Sequence, residues 1–165
     1  MLPHIKYIYL YAIERLQMKL TIELVPQTSW GNNLRSEANL SKGQWDKLRK
    51  QSYKQADYKC EVCGGKGSRH PVECHEIWHY NDQTKTQTLK GLTSLCPTCH
   101  KAKHIGRTLS VEPPHTQARV IKHLAKVNNL TPQETEEYIV KVFEVWNERS
   151  QHQWSLDLSW LDSNL

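Results

Sequence analysis

The stretch KLTIELVP, Lys19 to Pro26, alternates apolar and polar positions and stops at a proline, which predicts a strand. The next segment, QTSWGNNLRSEANLS, is rich in turn formers and keeps no period. At Ser41 the pattern becomes helical. Ser41 is a suitable N-cap for a helix from Lys42 to Ala56, with Trp45, Leu48, Ser52 and Ala56 on one face and Lys47, Arg49, Lys50 and Lys54 on the solvent side. A Gly-rich turn, YKCEVCGGKG, follows directly. HPVECHEIWHY then reads as a strand, NDQTK as a turn and TQTLKGLTSL as a second strand, so residues 70–95 form a hairpin.

After the hairpin, CPTCHKAKH predicts a turn and a short helix with Pro97 in an early position. IGRTLSVEPPH reads as a loop whose two prolines mark a boundary. TQARVIKHLAKVNN places Val120, Leu124 and Val127 on one helical face beside Ile121. In TPQETEEYIVKVFEVWNER, Thr131 and Glu134 have capping-box spacing around Pro132, and Tyr138, Ile139, Val142, Phe143 and Trp146 form an apolar stripe. WSLDLSWL reads as a final strand, with the early TIELV as a candidate partner. The chain is therefore expected to be α+β. Its expected divisions are an extension (1–18), a strand and helix leading into the core (19–57), a central core (58–108) and a helical appendage with a final strand (109–165).

Composition narrows the function classes. Only 38% of the 165 residues are hydrophobic, although six Trp and seven Tyr supply large buried areas. A small core of this kind calls for additional stiffening. No apolar run is long enough to span a bilayer. Residues 1–17 fit a signal peptide poorly, because Lys6 and Glu14 break the apolar part; an amphipathic helix and an upstream start before Met18 are both open readings. A cytoplasmic protein with no membrane partner is expected, in which five Cys serve as metal ligands or structural thiols rather than disulfides.

Charge is uneven. From Lys42 to Arg107 there are thirteen Lys or Arg against six Asp or Glu, while the whole chain carries +5. A basic centre suits a polyanion, with nucleic acid the first candidate; ordinary solubility charge accounts for the same count.

Cys60–Cys63 and Cys96–Cys99 are two C-x2-C pairs, which together can present four thiolates to one structural zinc ion. The hairpin lies between them, so zinc would clip its two ends together and supply the missing stiffness. Cys74 falls outside this frame and reads as a small buried residue. His100 and His104 are one helical turn apart, and the hairpin can bring His75 and Glu76 beside them. Imidazole and carboxylate donors suit a second, catalytic divalent ion, with Mg2+ or Mn2+ expected. His70, His115, His123 and His152 lack partners at ligand spacing, and Trp78 reads as core. Lys101, Lys103 and Arg107 flank the His pair and are candidate phosphate contacts, or simply cations favoured toward a helix C-terminus.

The segments CEVCGG, PVECHEIW and LTSLCPTCHKAKH, within Cys60 to His104, resemble the zinc-bearing HNH endonucleases of the ββα-metal superfamily. The whole chain is also similar to bacterial proteins known only as HNH endonucleases, through CHE-I/V-W and LDLSWL. The resemblance implies a ββα-metal core and metal-dependent hydrolysis of phosphodiester bonds in nucleic acid, DNA before RNA. It also implies a general base on the first strand and one divalent ion held by that strand and the helix. In one register Cys74 takes the metal position and His75 is the base. In the other, favoured by its surroundings, VECHEI matches LEVHHI, so that His75, His100 and His104 hold the metal and Glu76 is the base. Gly91 stands where the family has an Asn, and His79, on the strand face of His75, is a candidate substitute. Double-strand cleavage would favour a homodimer. The competing class is a non-catalytic zinc module that binds nucleic acid or protein.

Overall fold

A computed structural model describes residues 18–36 and 40–165. The readings of residues 1–17 lie outside them. Helix α1 (Lys42–Gln55) leads through the first cysteine turn to strands β1 (Glu73–Asn81) and β2 (Thr86–Leu95). Helices α2 (Pro97–Lys103), α3 (Ile105–Val111), α4 (Pro114–Asn128) and α5 (Pro132–Arg149) follow, then a short strand β3 (Ser155–Asp157) and a 3-10 turn at Ser159–Ser163. The fold is α+β, with a sheet in the order β1-β2-β3 among the described residues.

The local signals explain the well-marked elements. Ser41 caps α1 and Thr131 caps α5, each in a full capping box. β1 and β2 pair antiparallel from Glu73↔Leu95 to Asn81↔Thr86. A bulge falls between Ile77 and Trp78, opposite Gly91, whose φ is +153°. A side chain there would be strained and would meet the Trp160 indole at 3.8 Å.

Two apolar clusters hold the molecule. One joins Leu20 and Ile22 to Leu95, Ala102, Ile105, Val120, Leu124, Tyr138 and Val142, with Cys60, Cys96 and Cys99 among them. The other packs Leu34, Leu40, Leu48 and Leu161 against Trp78 and Leu89 of the hairpin. The hairpin is thus flanked by α1 and by the chain's last turn, while α2 docks on α4.

Three expectations are corrected. The segment Lys19–Pro26 forms no strand and bends at Lys19 and Leu20. Its main chain bonds instead to side chains and to the end of α2. Leu20 N–H donates to Asn128 Oδ1 at 2.9 Å, and Asn128 Nδ2 donates back to the Leu20 carbonyl at 2.8 Å. Ile22 N–H donates to the Tyr138 hydroxyl at 2.8 Å, and Glu23 N–H to the Lys103 carbonyl at 2.8 Å. Buried backbone groups need partners, but those partners need not form a ladder.

The final strand is only Ser155–Asp157, and it pairs parallel with the start of β2, not with TIELV. The Arg149 guanidinium grips Asp82 of the hairpin turn at 2.8 and 2.7 Å, and Ser155 N–H donates to the Lys85 carbonyl at 2.8 Å. These contacts deliver the chain beside β2.

The expected loop 105–115 contains α3. Pro113 and Pro114 occupy the N-cap and first turn of α4, where proline needs no N–H partner, so they open a helix rather than extend a loop. Thr108 Oγ1 anchors α3 by donating to the Lys101 carbonyl at 2.8 Å.

Candidate metal centres

The first cysteine turn folds back on itself. Cys60 N–H donates to the Gly65 carbonyl at 2.9 Å, and Gly64 N–H returns to the Cys60 carbonyl at 2.8 Å. Glu61 fastens this turn to the end of β2: its N–H donates to the Ser94 carbonyl at 2.9 Å, and its carboxylate accepts from Ser94 N–H at 2.6 Å. Cys96 caps α2, its Sγ accepting from Cys99 N–H at 3.5 Å.

The four Sγ atoms lie within 4.8 Å of one another, and Cys63 to Cys96 is 3.7 Å. Tetrahedral zinc with Zn–S bonds of about 2.3 Å requires sulfurs about 3.8 Å apart. The four thiols form a plausible metal site consistent with structural zinc. Hydrogen bonds from Cys96 and Cys99 hold the Cys60 thiol far below its ordinary range, and the Cys96 thiol is pushed up to about 11 by that same bond. Without a cation, thiolates this close cannot all ionise; a divalent ion would balance them. His123, read from sequence as unpartnered, stands against this site with Nε2 3.1 Å from Cys99 Sγ. All five cysteines are free of disulfides.

The second cluster brings together His75 of β1, His100 of α2 and His104 at the α2–α3 junction. Their ring centroids are 4.9 to 5.4 Å apart, and one ligand nitrogen from each lies within 4.8 Å of the others. Two of the rings are paired with carboxylates. His75 Nε2 is 2.8 Å from Glu23 Oε2, and His100 Nδ1 is 2.5 Å from Glu73 Oε2. A carboxylate on one ring nitrogen fixes the tautomer and frees the other nitrogen for a cation. Glu73 also holds His70 through Oε1 at 2.6 Å.

Burial lowers the His75 pKa despite the opposing Glu23 contact. Burial, aided by His75 and His100, lowers that of His104 to about 3. These two imidazoles are thus neutral donors at ordinary pH. Burial opposes ionisation of Glu23, but hydrogen bonds and charge from His75 and Lys103 outweigh it and hold its carboxyl far below the usual range. Glu73 is lowered to about 2, chiefly by its bond with His100. Neither Glu23 nor Glu73 was singled out from sequence. Glu73 had a signal, since it lies two residues before His75 on the same strand face; Glu23, 52 residues away, had none.

Glu76 does not join the imidazoles. It points to the other face of β1, where Oε1 accepts from Leu34 N–H and Oε2 from Trp78 Nε1–H, both at 3.1 Å. Burial raises its pKa. A cleft of ≈ 770 Å³ passes both faces and is lined by His75, His100 and His104 as well as Glu76.

The expected phosphate contacts separate. Lys103 is 7% exposed and donates to Glu23 Oε1 at 2.6 Å and Thr21 Oγ1 at 2.8 Å, so its phosphate role is corrected to a structural one. Lys101 is paired with Glu112. Arg107 is exposed along the cleft. Cys74 is not at the triad; burial pushes its thiol up to about 11, as for an inert cysteine. His79 is exposed on β1 and stands outside the triad.

Three imidazoles with no carboxylate among the ligand atoms suit a borderline ion such as zinc, nickel or cobalt better than a hard one such as magnesium. No family model, no curated protein and no solved structure matches this chain. No helix among the described residues is long and apolar enough to cross a membrane.

Proposed function

We propose that the chain is a metal-dependent endonuclease with a ββα-metal core of the HNH type, hydrolysing phosphodiester bonds in nucleic acid, with DNA the first substrate to test. The observation that carries this reading is the meeting of His75, His100 and His104 from a hairpin strand and the helix that follows it, with Glu23 and Glu73 paired with two of the rings. A divalent ion held by these rings would supply positive charge to a bound phosphate and to its leaving oxygen.

The chain's own residues do the rest. Glu23 and Glu73 orient the imidazoles. Glu76, the expected base, faces away from the triad across β1 with each oxygen in a hydrogen bond, so it holds the Leu34 loop and the Trp78 indole rather than taking a proton at the ion. Arg107 holds phosphate at the cleft. The four cysteines keep the hairpin and α2 in register through structural zinc.

One observation favours a non-catalytic zinc module instead. Gly91, at the bulge, offers no side chain to orient the reacting groups.

Supercoiled plasmid separates the two. The purified chain is expected to nick it with cobalt, nickel or zinc more readily than with magnesium, and chelator is expected to stop it. His104→Ala should reduce nicking at least about a hundredfold. Absence of nicking with every ion, in protein retaining its cysteine-bound zinc, would falsify the nuclease reading.

A further inference from the structure

A side branch of the cleft carries chemistry that the triad does not use. This cavity of ≈ 530 Å³ shares Glu23 and His104 with the imidazole cluster. Its walls include Phe143 and two indoles, Trp30 and Trp146. Both indoles donate to one acceptor, the Val25 carbonyl, Trp30 at 3.1 Å and Trp146 at 2.9 Å. Trp30 is nonetheless 65% exposed. Tryptophan is usually well buried, and here a main-chain hydrogen bond holds one open to solvent in a fixed place. Gly106 lies in the same wall and packs closely, since an added Cβ would meet a Leu24 methyl at 3.3 Å and the Phe143 ring at 3.7 Å. Arg107 is exposed at the rim.

We propose that this branch receives an unpaired nucleobase of the substrate, stacked on Trp30, with Arg107 on the neighbouring phosphate. The proposal rests on the nuclease reading and deepens it: the substrate is single-stranded, or locally opened, nucleic acid. A base has apolar faces and sits one sugar away from an anionic phosphate. An aromatic wall, a cation at the rim and a hydrolytic triad alongside match that sequence of groups. Stacking on an indole tolerates any base, so the site selects strandedness rather than sequence. In a duplex the bases are stacked inward and cannot enter the branch without being flipped out. An apolar peptide would satisfy the walls but leave Arg107 without an anion.

The test uses the full chain carrying His100→Ala, which is meant to bind without cutting, and fluorescein-labelled single strands of about 12 nucleotides with their matching duplexes. Anisotropy is expected to show the single strand bound at least about tenfold tighter than the duplex. Adding Trp30→Ala should lose about tenfold in single-strand affinity and leave duplex affinity unchanged, with Trp30→Phe restoring most of it. Circular dichroism confirms that each variant is folded. Unchanged single-strand affinity in folded Trp30→Ala protein overturns the proposal. So does equal affinity for duplex. Self-association that depends on Trp30, with no nucleic-acid effect, also overturns it and assigns the branch to a second copy. Trp30-dependent strand binding without cleavage by the unsubstituted chain upholds the branch and removes the nuclease reading. Duplex cleavage indifferent to Trp30 does the reverse.

Discussion

Lys103 and Arg107 lie four residues apart and act in opposite ways. The Lys103 ammonium is enclosed between Thr21 and Glu23, so its charge serves the fold. Lys103→Met leaves the Glu23 carboxylate buried without its cation, and urea denaturation is expected to show a loss of about 3–5 kcal/mol. Arg107→Ala should change stability by less than about 0.5 kcal/mol. It should weaken nucleic-acid binding and lower its salt slope by about one. Glu73 gives a pH signature. Its folded-state pKa lies below its ordinary 4.5, at about 2, so its contribution is complete above 4.5 and is lost as pH falls toward 2. In protein that keeps its cysteine-bound zinc and carries no ion at the triad, the melting-temperature difference between the unsubstituted chain and Glu73→Gln should be positive at pH 6 and shrink as pH falls below 4.5.

At the scale of elements, side chains replace secondary structure in two places. Asn128 acts as a two-pronged partner for Leu20, which is fully buried. Asn128→Ala orphans both Leu20 groups, at a cost of about 2 kcal/mol or more. Amide exchange should quicken at Leu20 and Glu23 while α5 stays protected. At the bulge, Gly91→Asn introduces the residue that the resemblance to HNH endonucleases leads one to expect there. The backbone there strains any side chain, so a loss of about 1–3 kcal/mol is expected and no gain in nicking. A stable and more active Gly91→Asn protein would show that the bulge relaxes easily.

For the whole molecule, the cysteine centre holds together parts that the chain separates. It joins the end of α1, the hairpin and α2, and its buried sulfurs belong to the larger apolar cluster. Structural zinc in small modules is worth about 10–16 kcal/mol, comparable with the entire stability of a domain of about 5–15 kcal/mol. Elemental analysis should find about one tightly held zinc per chain without added metal. Stripping it with a strong chelator should abolish the cooperative melt, and Cys60→Ser should do the same. A second ion should bind and leave at the imidazole triad without unfolding the protein, because Glu23 and Glu73 already hold two of its rings.

Much of this was legible in the order of residues, because the signals involved are local. The hairpin followed from alternation and a turn, the caps of α1 and α5 from spacing, and the thiol frame from two C-x2-C pairs. Each depends on neighbours a few positions apart. Other features depend on contacts between distant segments. Lys19–Pro26 has the period of a strand, yet Asn128 and Tyr138 are the partners of its backbone groups at Leu20 and Ile22. His75 and Glu76 are neighbours that both read as site residues, and the pleat of β1 sent them to opposite faces. Glu23, paired with His75, and His123, beside Cys99, carry no sequence signal at all, because an outer partner of a metal ligand is set by where the chain returns in space rather than by any spacing along it.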